Sequence, residues 1–150
     1  NFGDSLLGVL AQRLVRRLFT HCRTSRPLTD EERDELLADY LNSFPPGEAP
    51  PAEEVLTEWS ERFGVEGQLM HHHSPGCDKC GNTGLRGRAA IHELLTVGRE
   101  LKHRIQTGAR VEELQSIAMR EGMHTLRQDG IEKVLAGVTN IAEVRASSNA

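Results

Sequence analysis

The segment Cys77-Asp78-Lys79-Cys80 sets two thiols two residues apart. At that spacing both sulfurs can reach one metal ion across a tight turn, and structural zinc asks for four such donors, thiolates with or without imidazoles, in a tetrahedron. Gly76, Gly81, Gly84 and Gly87 surround the pair and permit the turns that a metal knuckle requires. A redox pair would sit at the start of a helix after a strand, and Gly81, Asn82 and Gly84 argue against a helix there. Unbound structural thiols are the remaining alternative. Cys22 is a candidate third ligand from far upstream. Candidates for the fourth are His21, beside Cys22, and the run His71, His72 and His73 shortly before Cys77. Three consecutive histidines also read as an exposed loop.

Three cysteines is an odd number, and the first residues read as an ordinary amphipathic segment rather than a secretory signal. A reducing compartment is therefore the default, where paired cysteines more often bind metal than form disulfides. The chain of 150 residues begins at Asn1 and reads as a piece of a longer protein. Net charge is −4 and the pI about 6.0, against the strongly basic balance of a dedicated nucleic-acid binder. Aromatics are only 4% of the residues, so the core must be built from Leu, Val, Ile and Ala. No apolar run approaches the roughly 18 residues of a membrane span.

The elements that must position these donors follow from periodicity and capping. Leu6, Leu7, Leu10, Leu14 and Leu18 fall at helical spacing, which predicts a helix over 4–18 with arginines near its C-terminal end. Thr29-Asp30-Glu31-Glu32 reads as a capping box opening a helix to about Asn42. Pro45-Pro46-Gly47 ends it, 44–53 is the linker candidate, and 51–63 predicts a further short helix with Val55, Leu56 and Trp59 on one face. Residues 88–95 fit a strand or a helix start equally. Short helices are expected over 99–106, 110–121, 125–136 and 140–146, stopped at Gly108, Gly122 and Gly137, packing as a small bundle with Ile117 and Leu135 inside.

Three stretches together carry a resemblance. GVLAQRLVRRL at 8–18, GCDKCGNTGLRGRAAIHELL at 76–95 and GMHTLRQDGIEKVLAGVTNIAEV at 122–144 resemble, in order and spacing, the ATPases of type II secretion and type IV pilus assembly. The likeness spans nearly the whole chain except 27–70. It implies a mainly α fold with a little β: residues 1–18 as the terminal helix of a RecA-like motor domain, 19–85 as a zinc-knuckle insert with a variable helical segment, 86–97 as the return to the motor, and 98–150 as a C-terminal helical subdomain. The family's insert carries two Cys-x-x-Cys pairs. Cys77 and Cys80 match the second pair and Cys22 the second member of the first, whose first member falls at Phe19. Phe cannot ligate zinc, so either a histidine substitutes, giving Cys22, Cys77, Cys80 and one histidine, taken as His72, or the site is lost and Phe19 fills the space as a metal-free apolar plug.

The family's P-loop, G-x-x-x-x-G-K-[ST], has no match in these residues. Its amides and lysine are what hold ATP for hydrolysis, so these residues alone are not expected to be an enzyme. ATP and Mg belong to the full-length parent. By resemblance that parent is a cytoplasmic homohexamer peripheral to the bacterial inner membrane, working on inner-membrane platform proteins of the machine, with no nucleic acid and no membrane span of its own. A free-standing zinc-binding interaction module is the alternative. Arg13, Arg16 and Arg17 read as a solvated face or as a subunit or phosphate contact; His92 and Glu93 read as structural; Asp129-Gly130 reads as a close helix contact.

Overall fold

The computed structural model describes residues 6–114, 117 and 123–148. Four strands and five helices organise them: β1 (Leu6–Leu18), β2 (Thr24–Pro27), α1 (Asp30–Leu41), α2 (Ala52–Phe63), β3 (Met70–His73), β4 (Leu85–Val97), α3 (Arg99–Gln106), α4 (Leu126–Leu135) and α5 (Ile141–Ser147). A single 3-10 turn at Asp78–Cys80 precedes β4. Helical residues outnumber strand residues, and the strands form two separate antiparallel pairs, β1 with β4 and β2 with β3.

The predicted helix over 4–18 is a strand across its described length. β1 runs antiparallel to β4 from Leu6 opposite Val97 to Leu18 opposite Leu85. The leucines satisfy a helical period, but the backbone is claimed by partners on both sides. On the edge away from β4, Arg16 N donates to the Glu143 carboxylate at 2.8 Å, Thr139 Oγ1 donates to Arg16 O at 2.7 Å, and Leu18 N donates to Val138 O at 2.9 Å. Long-range backbone pairing therefore overrides a pattern that local periodicity alone would read as helix. Val15 and Leu18 are buried while Leu10 and Leu14 are exposed, with register shifts at 9–11 and 16–18 that re-aim the side chains. Residues 88–95, ambiguous in sequence, lie in β4.

The capped helices stand where their signals put them. Glu32 N donates to Thr29 Oγ1 and Thr29 N donates to Glu32 Oε1, the reciprocal pair that opens α1. Thr125 and Gln128 do the same for α4. The expected helix at 110–121 is described only in part: 111–114 and 117 are helical, and the rest lies outside the described residues.

One core joins elements far apart in sequence. Leu36, Leu37 and Tyr40 of α1, Val55 and Trp59 of α2, Leu69, and Ile131 and Leu135 of α4 form a single buried cluster. A smaller cluster of Leu101 and Ile117 lies against Leu95 and Val97 at the end of β4. Helices α3 and α4 thus belong to different clusters. Gly130 lets α4 meet α5 closely, because a Cβ there would collide with the Val144 side chain.

Candidate metal centre

Two short turns face each other where β1 ends and β4 begins. In the first, Cys22 N donates to Phe19 O at 3.3 Å; in the second, Cys80 N donates to Cys77 O at 3.3 Å. The two are tied together by Phe19 N, which donates to Gly84 O at 2.9 Å at the base of the β1–β4 ladder. Ser74, buried behind them, donates from its hydroxyl to Phe19 O at 3.0 Å. The β1–β4 ladder thus supplies the closure that brings Cys22 to Cys77 and Cys80.

The second turn is shaped by glycines at two points. Gly81 adopts φ 66°, a left-handed conformation that costs an L side chain energy, and Gly84 at φ 74° passes so close to the Ser74 carbonyl that any Cβ would collide. Cys77 N and Gly84 N both donate to Cys80 Sγ, at 3.2 and 3.3 Å. The sulfurs of Cys77 and Cys80 are 3.6 Å apart, and all three cysteine sulfurs lie within 4.8 Å of one another. A Zn–S bond of about 2.3 Å in a tetrahedron puts sulfurs roughly 3.8 Å apart, so the set fits a zinc ion.

The electrostatics favour a thiolate at Cys80. Partial desolvation opposes it, but the amides of Cys77 and Gly84 and the neighbouring thiols outweigh that and bring the Cys80 thiol down to about 7. At Cys77 desolvation prevails and the thiol is pushed up. A bound cation would reverse that preference, since metal coordination deprotonates thiols outright.

The expected ligands divide. Cys22, Cys77 and Cys80 come together; His72 does not join them among the described residues. His72 lies in β3 opposite Ser25, its Nδ1 2.7 Å from Ser25 Oγ and its ring against Gly137. His71 instead faces Glu32, Nδ1 to Oε2 at 3.7 Å, and His73 stacks with His71. His21 rests its ring against Phe19. The guanidinium of Arg86 lies over the Phe19 ring, 5.6 Å from its centroid, and donates to Lys79 O at 3.0 Å, so one arginine braces both turns.

A model of the family described as type II/IV secretion system protein matches residues 1–146. The chain belongs to that family. It is 37% identical over 147 residues to the type IV pilus assembly ATPase PilB of Thermus thermophilus, covering 97% of this chain and 14% of that protein. It is 36% identical over 141 residues to the type II secretion system protein E of Aeromonas hydrophila, covering 94% of this chain and 23% of that protein. The type II secretion system ATPase E of Vibrio cholerae is 33% identical over 141 residues, with the same coverage of 94% and 23%. The chain therefore spans less than a quarter of the length of each of these secretion-system relatives. No helix among its described residues is long and apolar enough to cross a membrane.

In this secretion-family chain a second titratable cluster, His124, Asp129 and Glu132, was not singled out by sequence reasoning. Its groups are already paired. Glu132 receives Arg62 Nη2 at 3.0 Å and the Tyr40 hydroxyl at 3.4 Å, and lies 2.9 Å from His124 Nε2. Asp129 Oδ2 accepts from His92 N at 2.8 Å, and Glu93 Oε1 accepts from Leu126 N at 3.3 Å at the start of α4. The His92 backbone and the Glu93 carboxylate thus bind α4 to β4. Arg16 pairs with Glu143 at 2.8 Å.

Proposed function

We propose that these residues are the metal-binding and helical portion of an ATPase that powers type II secretion or type IV pilus assembly. The observation that carries this reading is the family match across 1–146, with 37% identity to a pilus assembly ATPase over 97% of the chain. Hydrolysis itself belongs elsewhere in the parent, with its P-loop, ATP and Mg. The parent works as a cytoplasmic hexamer at the inner membrane, and the portion described here shapes contacts with neighbouring subunits and platform proteins.

Within that portion Cys22, Cys77 and Cys80 would hold zinc. The ion supplies a cross-link between the two turns in place of a large core, and structural zinc contributes on the order of 10 kcal/mol to the folding of small modules. The chain's own groups do the rest. The amides of Cys77 and Gly84 favour the Cys80 thiolate, and Arg86 holds both turns in place.

The test is a steady-state ATPase assay on the full-length parent and on the 150-residue chain. The parent is expected to hydrolyse ATP and to lose activity with Cys77→Ser; the 150-residue chain is expected to show no turnover. Turnover scaling with the concentration of the pure 150-residue chain, or an inert parent, would count against the proposal.

A further inference from the structure

The two turns of the metal centre are built alike. Phe19 and Cys22 bracket one as Cys77 and Cys80 bracket the other: the last residue's N–H donates to the first residue's carbonyl at 3.3 Å in both, and its thiol also points to that carbonyl, at 3.8 Å for Cys22 and 3.4 Å for Cys80. Phe19 therefore occupies the place that Cys77 holds in the other turn. It is the position of the fourth donor, filled by a ring that cannot donate.

Among the described residues no other side chain takes over that role. The cluster of potential ligand atoms contains three sulfurs and nothing else among the described residues. His72 is held at Ser25, His71 at Glu32, and the His21 ring at Phe19 itself. The cysteines are only partly buried, so solvent reaches the site. Three thiolates on a divalent ion leave one negative charge, and Arg86, spanning the Phe19 ring and the Cys77–Cys80 turn, stands beside it.

Taking the zinc reading of this site as given, we infer that the centre is a three-thiolate site whose fourth coordination position is open to an exogenous ligand. Solvent would fill that position, and a small thiol, binding as its thiolate and releasing its proton to solvent, would displace it. Such a centre is chemically distinct from a closed structural zinc site, which presents four protein ligands and no exchangeable position. Its metal is consequently labile, because an incoming chelator can attack through the open position without first breaking a metal–sulfur bond.

The test uses the 150-residue chain loaded with Co(II), whose visible spectrum reports the number of thiolates. Titration with free cysteine should shift the ligand-field bands of the wild-type chain toward those of a four-thiolate site. Phe19→Cys should show the four-thiolate spectrum without added cysteine and should not respond to it. Zinc transfer from the wild-type chain to a chromophoric chelator should be faster than from Phe19→Cys, which offers no open position. A cobalt-loaded wild-type chain that ignores cysteine would overturn the inference while leaving metal binding intact. So would a response to cysteine that appears only after His72→Ala or His21→Ala, since a histidine would then be the fourth ligand. A wild-type chain that takes up no cobalt, beside a Phe19→Cys chain that does, would overturn the zinc reading together with the inference. Should Phe19→Cys fail to fold by circular dichroism, the cysteine titration of the wild-type chain decides alone.

Discussion

The Glu132 carboxylate lies 2.9 Å from His124 Nε2, close enough for charge pairing although off the line of a well-directed hydrogen bond. Its other oxygen receives Arg62, 70 residues away in sequence, so one buried carboxylate ties α2 to α4 and to the ring of His124, whose backbone bridges Leu94 in β4. Burial would push Glu132 up, but its contacts with His124 and Arg62 outweigh burial and hold it below the usual carboxylate range. Replacing it with Gln removes the charge that Arg62 and His124 share on the buried side, while Arg62, about half exposed, keeps Glu58 at 3.3 Å. We expect Glu132→Gln to cost roughly 1–2 kcal/mol at neutral pH, measured by urea denaturation.

The same carboxylate sets a pH limit. A group whose folded pKa is depressed contributes stability above its unfolded pKa and loses it as pH falls through the folded value. Glu32 acts in the same direction: hydrogen bonds from Arg26 and from the Thr29 backbone bring it to about 2 from its ordinary 4.5. Stability should therefore fall as pH drops from about 4.5 toward about 2. The difference between wild type and Glu132→Gln should shrink as pH falls below the usual carboxylate range, since Glu132 is held below it. Thermal melts recorded across that fall in pH, showing a constant difference, would contradict this assignment.

At Gly130 two effects oppose each other. Alanine gains about 1 kcal/mol of helix propensity, yet its Cβ would collide with Val144 where α4 meets α5. Overpacking of a tight contact costs typically about 1–3 kcal/mol, so the net effect of Gly130→Ala should be destabilising. Pairing it with Val144→Ala should recover part of the loss, which a double-mutant cycle would register.

Leu135 is 1% exposed and lies in the cluster shared by α1, α2 and α4. Leu135→Ala should cost about 2–5 kcal/mol, with the spread set by how far the cavity collapses. Because the cluster is shared, hydrogen exchange should accelerate in α1 and α2 as well as in α4. Loosening confined to α4 would mean that the helices do not form one core.

The parts legible in sequence are those whose signals are local. Thr29 with Glu32 mark a helix start within four residues, and the Gly-flanked Cys77–Cys80 pair marks its own turn. Nothing local marks β1 as a strand, because its ladder partner lies beyond the whole segment 19–84 and its outer edge is taken by 138–143. The leucine period is real but describes a preference that pairing overrules. The cysteine triad was legible from residue type and spacing. The placement of His72 was not, since β2–β3 pairing sets it opposite Ser25. Glu132 reads as an ordinary surface position in α4, and only the meeting of Tyr40, Arg62 and His124 around it makes it a buried charge.

The metal content of the 150-residue chain, by elemental analysis after dialysis against a mild chelator too weak to strip a thiolate-held ion, tests the account of this centre most directly. One zinc per wild-type chain is expected, with loss of that zinc in Cys77→Ser and loosening of the two turns while α3 to α5 stay folded. A zinc content near zero in a wild-type chain whose circular dichroism is unchanged would contradict it, leaving Cys22, Cys77 and Cys80 as a thiol cluster without a metal.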